Sequence, residues 1–228
     1  MDNQEQWCFA WFAQAQASAG QDRAALVTAA KWQSNDKITV SFLDGDPQVC
    51  EKVKAVAQTW TGQEMANVRL VFQKNTDSMI RISFRQPGSW SMIGTTCLRN
   101  KDLKRPTMNF GWLKPDSTQG VLERVVLHEF GHALGMIHEH QNPENNIDWN
   151  RDAVIKDLSG GENKWSLEQI DQNMFKAYSK TETNSSGFDK DSIMLYPIPK
   201  SWTRNGFSVG LNSQLSPDDR AFIRKQYP

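Results

Sequence analysis

From Lys37 onward the apolar residues fall into two rhythms, one suited to strands and one to helices. Ile38, Val40 and Phe42 alternate with Thr39 and Ser41, which predicts a half-buried strand that stops at Asp44-Gly45. Asp46 is then placed as an N-cap with Pro47 in the first helical position, and Val49, Val53, Val56 and Trp60 recur at helical spacing as far as Gly62. Val68, Leu70 and Phe72 alternate again, as do Ile80, Ile82 and Phe84, before a Pro87-Gly88 turn. Trp90 to Gly94 and Met108 to Trp112 complete a sheet of about five strands. Residues 1 to 30 are rich in Gln and Ala and lack clear turn punctuation. They read as a loosely helical or irregular lead-in, or as the remnant of a pro-segment.

The rhythm changes after Pro115. Val121 to Leu134 is apolar on most sides and predicts a buried helix that Gly135 ends. Asn150 is placed to cap a short helix through Leu158, and Ser166 with Gln169 forms a capping box ahead of Leu167, Ile170, Met174, Phe175 and Tyr178. A last helix starts at Ser216-Pro217 and is expected to bury Phe222, Ile223 and Tyr227. The fold class is therefore α+β: a sheet with a backing helix, a buried central helix, then loops and short helices.

Charge and cysteine content narrow the classes of function. Across 228 residues, 26 Lys and Arg balance 26 Asp and Glu, so no global field draws the chain to nucleic acid or to an anionic membrane. No apolar run approaches the roughly 20 residues of a membrane helix. Nucleic-acid binding and membrane insertion are not expected, and a monomer is. Cys8, Cys50 and Cys97 allow at most one internal disulfide. The apolar patch Trp7 to Ala13 has no Lys or Arg before Arg23 and so lacks the charged entry of a secretory signal. The expectation is a secreted or exported protein whose export segment is absent here, with a cytoplasmic one as the alternative.

The chemistry concentrates in His128, Glu129, His132, Gly135 and His138, within HEFGHALGMIH. Side chains four apart on a helix lie one above the other, so His128 and His132 present two imidazoles from one face, half of a tetrahedral zinc site. Glu129 falls beside such a metal without being needed as a ligand, which suits a general base acting on water. Gly135 tolerates the left-handed turn that leaves the helix and brings a third imidazole, His138, to the same metal. HExxH alone recurs by chance, but five fixed residues over this span are a far more specific signal.

The motif HExxHxxGxxH resembles that of the metzincin zinc peptidases. Ser192-Ile193-Met194-Leu195-Tyr196 resembles their methionine turn in the SxMxY form of the astacins, and Glu139 after the third His matches the astacin pattern too. From Lys37 to the end the elements come in metzincin order. The resemblance implies one catalytic domain over residues 31–228, with an N-terminal subdomain of 31–138 and a loop-rich C-terminal subdomain of 139–228. It implies one zinc ion held by His128, His132 and His138, with Tyr196 as an additional ligand and Met194 as the hydrophobic floor. Glu129 and Tyr196 are its implied catalytic groups, and extended proteins or peptides its substrates. The run Ser89 to Gly94 resembles the astacin edge strand. Trp90, Ser91, Met92, Ile93 and Gly94 are thus expected to pair with an extended peptide through free backbone groups.

Some positions depart from that pattern. Asn142, Glu144 and Asn146 stand where astacins carry an Arg and two Asp, and three cysteines cannot form the family's two disulfides. His140 is expected to face solvent or to back up the site. A latency role for the Cys8 thiol finds no metal-binding context around it. Two other functions compete with peptidase activity. An inactive zinc-containing module that captures peptides would usually lose the base, whereas Glu129 is present. A purely structural zinc would be closed by four protein ligands, commonly cysteines, and none lies near the cluster.

Overall fold

The computed structural model describes residues 30–62, 64–160, 164–177 and 187–228, together with the backbone of Phe9–Trp11. The strands are β1 (Phe9–Trp11), β2 (Lys37–Phe42), β3 (Arg69–Phe72), β4 (Ile80–Ser83), β5 (Ser89–Met92) and β6 (Met108–Phe110). They form a sheet in the order β1-β5-β6-β4-β2-β3, parallel throughout except where β5 meets β6. The five expected strands are therefore present in a mixed sheet, and a sixth is added. The described helices are α1 (Pro47–Ala57), α2 (Gln119–Ala133), α3 (Arg151–Ser159), α4 (Leu167–Ile170) and α5 (Pro217–Gln226). None of them is long and apolar enough to cross a membrane.

Local chemistry starts these helices much as the sequence foretells. Asp46 accepts from the N–H groups of Gln48 and Val49 at 2.8 and 3.3 Å, satisfying donors that the first turn of α1 leaves open. Ser166 and Ser216 each open a capping box. Asn150 precedes α3 without capping it; its Nδ2 donates to Ser201 O instead. Beyond Ile170 the chain passes from α4 into a π-helical turn, Asp171–Phe175, and Tyr178 lies outside the described residues. Ile223 in α5 and Tyr227 just after it are buried, while Phe222 is only half-buried.

Two expectations about the segment after Pro87 need correction. First, β5 ends at Met92, and Ile93 and Gly94 leave the sheet; Gly94 opens a 3₁₀ turn, Gly94–Arg99, at φ +48°. A Cβ on Gly94 would run into the carbonyl of Ala30, so alternation stops where the backbone must pass another backbone closely. Second, β5 is not the outer strand. β1 pairs with it in parallel, Phe9 opposite Trp90, Ala10 opposite Ser91 and Trp11 opposite Met92. Phe9-Ala10-Trp11 is apolar throughout and only three residues long, too short for a period of two to register. Cys8, just before it, lies outside the described residues.

Among the described residues, two hydrophobic cores result. The larger joins β2, β4 and β6 to α1 and α2, and also takes in Ile193, Met194, Leu215, Ile223 and Tyr227 from late in the chain. The smaller gathers α3, α4 and the stretch containing Leu195, Tyr196, Ile198 and Trp202. The helix α2 is fixed to the sheet by Phe130, which closes a ring of aromatic contacts through Phe72, Phe42, Phe84 and Phe110, all with centroids 5.8–6.5 Å apart. Each such pair adds about 0.5–1.5 kcal/mol beyond the area it buries.

Gly131, the next residue, does the opposite and makes room. A Cβ on it would run into Met194 Sδ, with Trp60 Cζ2 only 3.3 Å away. The Met194 side chain is fully buried against this gap. Gly131→Ala is expected to destabilise the protein by about 1–3 kcal/mol through overpacking and to weaken metal retention, because it pushes on the turn beneath the histidines. Thermal melting and metal analysis check this; an unchanged melting temperature would show that Met194 moves aside freely.

Candidate metal centre

His128 and His132 stand four residues apart on α2, and both are buried, at 7% and 0% exposure. The helix ends in a Schellman turn: Met136 N–H donates to Gly131 O at 3.0 Å and Gly135 N–H to His132 O at 2.8 Å, with Gly135 at φ +93°. Beyond that turn the chain reverses and delivers His138. Candidate ligand atoms of His128, His132 and His138 all lie within 4.8 Å of one another, and the Nε2 atoms of His132 and His138 are 3.1 Å apart. This convergence fits a tetrahedral metal with Zn–N bonds of about 2.0–2.1 Å.

The protein also sets the tautomers. His128 Nδ1 is 2.8 Å from Ile193 O and His132 Nδ1 is 2.9 Å from Met136 O. A carbonyl can only accept, so each Nδ1 carries the proton and each Nε2 keeps its lone pair for a metal. Burial pushes the His132 pKa down to about 4 and those of His128 and His138 well below the ordinary value, with repulsion among the imidazoles adding to the effect at the latter two. The three rings are therefore neutral at physiological pH, as ligands must be. A buried set of convergent imidazole lone pairs with tautomers fixed in this way fits zinc.

The expected Met-turn is the support beneath. Ile193 O orients His128, and the adjacent Met194 O accepts from Glu139 N–H at 3.0 Å, just after His138. Asp219 holds this turn in place: its Oδ1 accepts from Ser192 Oγ at 2.7 Å, and its Oδ2 from Ile193 N–H and Ser216 N–H at 2.8 and 3.0 Å. The sequence marked Asp219 only as part of a helix start; its second task depends on a contact across 27 positions. The Tyr196 ring lies among the histidines, with centroids 4.2 Å from His138, 4.8 Å from His140 and 6.0 Å from His128.

His140 does not face solvent. It is 1% exposed, stacks on His138 at 5.2 Å, and places Nε2 2.6 Å from Asn173 O. Glu139 Oε1 accepts from Asn142 Nδ2 and Asp189 N–H at 2.9 and 3.0 Å. Asn142, one of the departures from the astacin pattern, thus partners Glu139 here. Glu129 is 1% exposed, and with His128 and Tyr196 it lines a shallow, open pocket. Trp112 and Arg124 also line it; neither was singled out from sequence.

A three-histidine centre on a buried helix, floored by a methionine turn and set against a mixed sheet, defines a metzincin-type zinc metallopeptidase. Residues 26–227 match the family model for the astacin peptidases, and the chain belongs to that family. No curated protein sequence matches it. Among solved structures, one of myroilysin is 44% identical over 89% of this chain and 97% of its own, with a TM-score of 0.84; a second myroilysin structure is also 44% identical, over 88% and 86%, at 0.68. High choriolytic enzyme 1, a hatching enzyme zinc-protease from the medaka fish Oryzias latipes, shares the fold at 15% identity, covering 92% and 98%, at 0.59.

Glu139 supplies a pH prediction. Burial raises its pKa from 4.5 to about 7 despite the two hydrogen bonds. Unfolded, the carboxyl gives up its proton near 4.5; folded, it holds it until about 7. The folded state binds more protons across that window, so this group's contribution to stability falls as pH rises through it. Glu139→Gln is expected to flatten that part of the profile, read as the urea midpoint against pH. An identical slope in both proteins would assign it to other groups.

Proposed function

We propose that the chain is a zinc-dependent endopeptidase that cuts extended protein or peptide substrates with Glu129 as general base. The observation that carries this reading is the placement of Glu129, next to the ligand His128 and on the wall of the same pocket as Tyr196. Zinc bound by the three imidazoles supplies Lewis-acid polarisation and lowers the pKa of water. The Glu129 carboxylate takes a proton from the attacking water and returns it to the leaving amine. The Tyr196 hydroxyl donates to the carbonyl oxygen on which negative charge develops. The subdomains 31–138 and 139–228 flank this site in the same reading, and an exported enzyme acting on proteins it meets outside its cell is the setting that suits it.

Metal chelation is expected to abolish peptide cleavage. Glu129→Ala is expected to retain one zinc per chain while kcat falls about 10²–10⁴-fold, and Tyr196→Phe to lower kcat about ten- to a thousand-fold with KM little changed. Cleavage assays alongside metal analysis check all three. Full activity of the metal-free protein would refute the proposal, and wild-type turnover in either variant would move that role to another residue.

Residues 1–30 act in this reading as a pro-segment. The parallel pairing of β1 with β5 supports it, since the row of N–H and C=O groups that an incoming peptide would use is already engaged. Deleting residues 1–28 is expected to raise kcat/KM for an extended peptide. Equal values with and without the segment would place substrate binding away from β5.

A further inference from the structure

The connection from β5 to β6 departs from the even charge balance of the whole chain. Its run Leu98-Arg99-Asn100-Lys101-Asp102-Leu103-Lys104-Arg105 holds four cations and one carboxylate. That carboxylate is engaged within the turn: Asp102 Oδ1 accepts from Lys104 N–H at 3.0 Å, and Oδ2 lies 3.4 Å from Arg105 Nε. Among the described residues, Arg99, Lys101 and Lys104 have no carboxylate at ion-pair distance. All four cations are exposed. Leu98 and Leu103 stand among them at 39% and 41% exposure, large apolar side chains that the fold leaves in water.

Arg81 makes this loop a fixed platform. Its guanidinium, on β4 and 3% exposed, donates from Nη2 to Asn100 O at 2.8 Å, from Nε to Arg105 O at 2.9 Å and from Nη1 to Ser78 O at 2.8 Å. One buried cation thus draws together both ends of residues 100–105, and Arg105 N–H closes the turn between them on Asp102 O at 3.0 Å. A loop held in this way has little backbone entropy left to lose on contact.

The two kinds of exposed group narrow the partner. Lys and Arg attract any anionic layer, but a leucine gains little from an acidic polymer dissolved in water. It gains where it can enter an acyl layer. Cations around apolar tips fit the headgroup boundary of an anionic bilayer, where each cation contributes about fivefold to partitioning. The leucines supply the second signal that lasting surface attachment requires. Overall neutrality does not oppose this, because charges more than about 10 Å away are largely screened at ordinary salt.

We propose that residues 98–105 dock the protein peripherally on anionic lipid bilayers. Co-flotation of the full chain with vesicles of phosphatidylcholine and phosphatidylglycerol in equal parts, and of phosphatidylcholine alone, tests this without reference to peptide cleavage. Partition onto the mixed vesicles is expected to be stronger by about tenfold or more and to weaken as salt is added. Lys101→Glu with Lys104→Glu is expected to abolish the difference between the vesicles. Lys156→Glu with Lys200→Glu, the same change of net charge at exposed positions in the C-terminal region, is expected to bind like the wild type. Leu103→Ser is expected to lower partition about tenfold while retention on a heparin column stays unchanged. Melting temperatures are followed, so that unfolding is not mistaken for lost docking. Equal binding to both vesicle types, wild-type binding by the Lys101/Lys104 pair, or an equal loss in the Lys156/Lys200 pair overturns the proposal. Wild-type partition by Leu103→Ser also overturns it, leaving a purely charged patch suited to a soluble acidic polymer.

Discussion

Two consecutive carbonyl oxygens, those of Ile193 and Met194, determine where the histidines sit. One fixes the tautomer and tilt of His128; the other holds the backbone directly after His138. The third ligand, His132, is instead tied through Met136 O to the turn that ends its own helix. The metal centre is therefore no property of the helix alone. It requires a turn about sixty residues later to arrive at hydrogen-bonding distance on the right side. The buried carboxylate of Asp219 secures that arrival by gathering Ser192 Oγ and two backbone N–H groups. Burial raises its pKa, and the three donors offset the cost of placing an acid there.

The two free positions of the HExxH motif carry as much of the architecture as the fixed ones. Phe130 joins α2 to four phenylalanines from the β2, β3, β4 and β6 region, and Gly131 admits the Met194 sulfur. On a helix, successive residues point about 100° apart. His128, Glu129, Phe130 and Gly131 therefore address the metal, the pocket, the sheet and the methionine in turn, and one helical turn couples all four.

Much of this was legible in the sequence because its signals are local. Alternation placed β2, β3 and β4, Asp46-Pro47 opened α1, and the motif named three ligands whose spacing is a helical repeat followed by a glycine turn. What escaped depends on contacts between distant segments. The two tasks of Asp219 look like one capping residue until the Met-turn folds against α5. His140 reads either as solvent-facing or as backing up the site, and only Asn173 and Tyr196 packing against it select the second. The pairing of Phe9–Trp11 with β5 leaves no periodic trace, since three apolar residues fit any element. Arg124 lies in a segment that reads as a buried helix, and nothing local singles it out until the pocket walls around it are in place.

The end of α2 is closed by residues far away in the chain. Trp32 Nε1 donates to Ala133 O at 2.8 Å across 101 positions, and Tyr227 OH donates to Leu134 O at 2.7 Å across 93; both carbonyls belong to the helix end that has no intrahelical partner. During synthesis α2 and its histidines leave the ribosome long before Asp219 and Tyr227 do. Until those later residues emerge, the imidazoles lack the turn that orients them and the helix lacks its last cap. A growing chain thus carries the motif of a peptidase without its assembled centre, and competence for cleavage comes only with late, long-range closure.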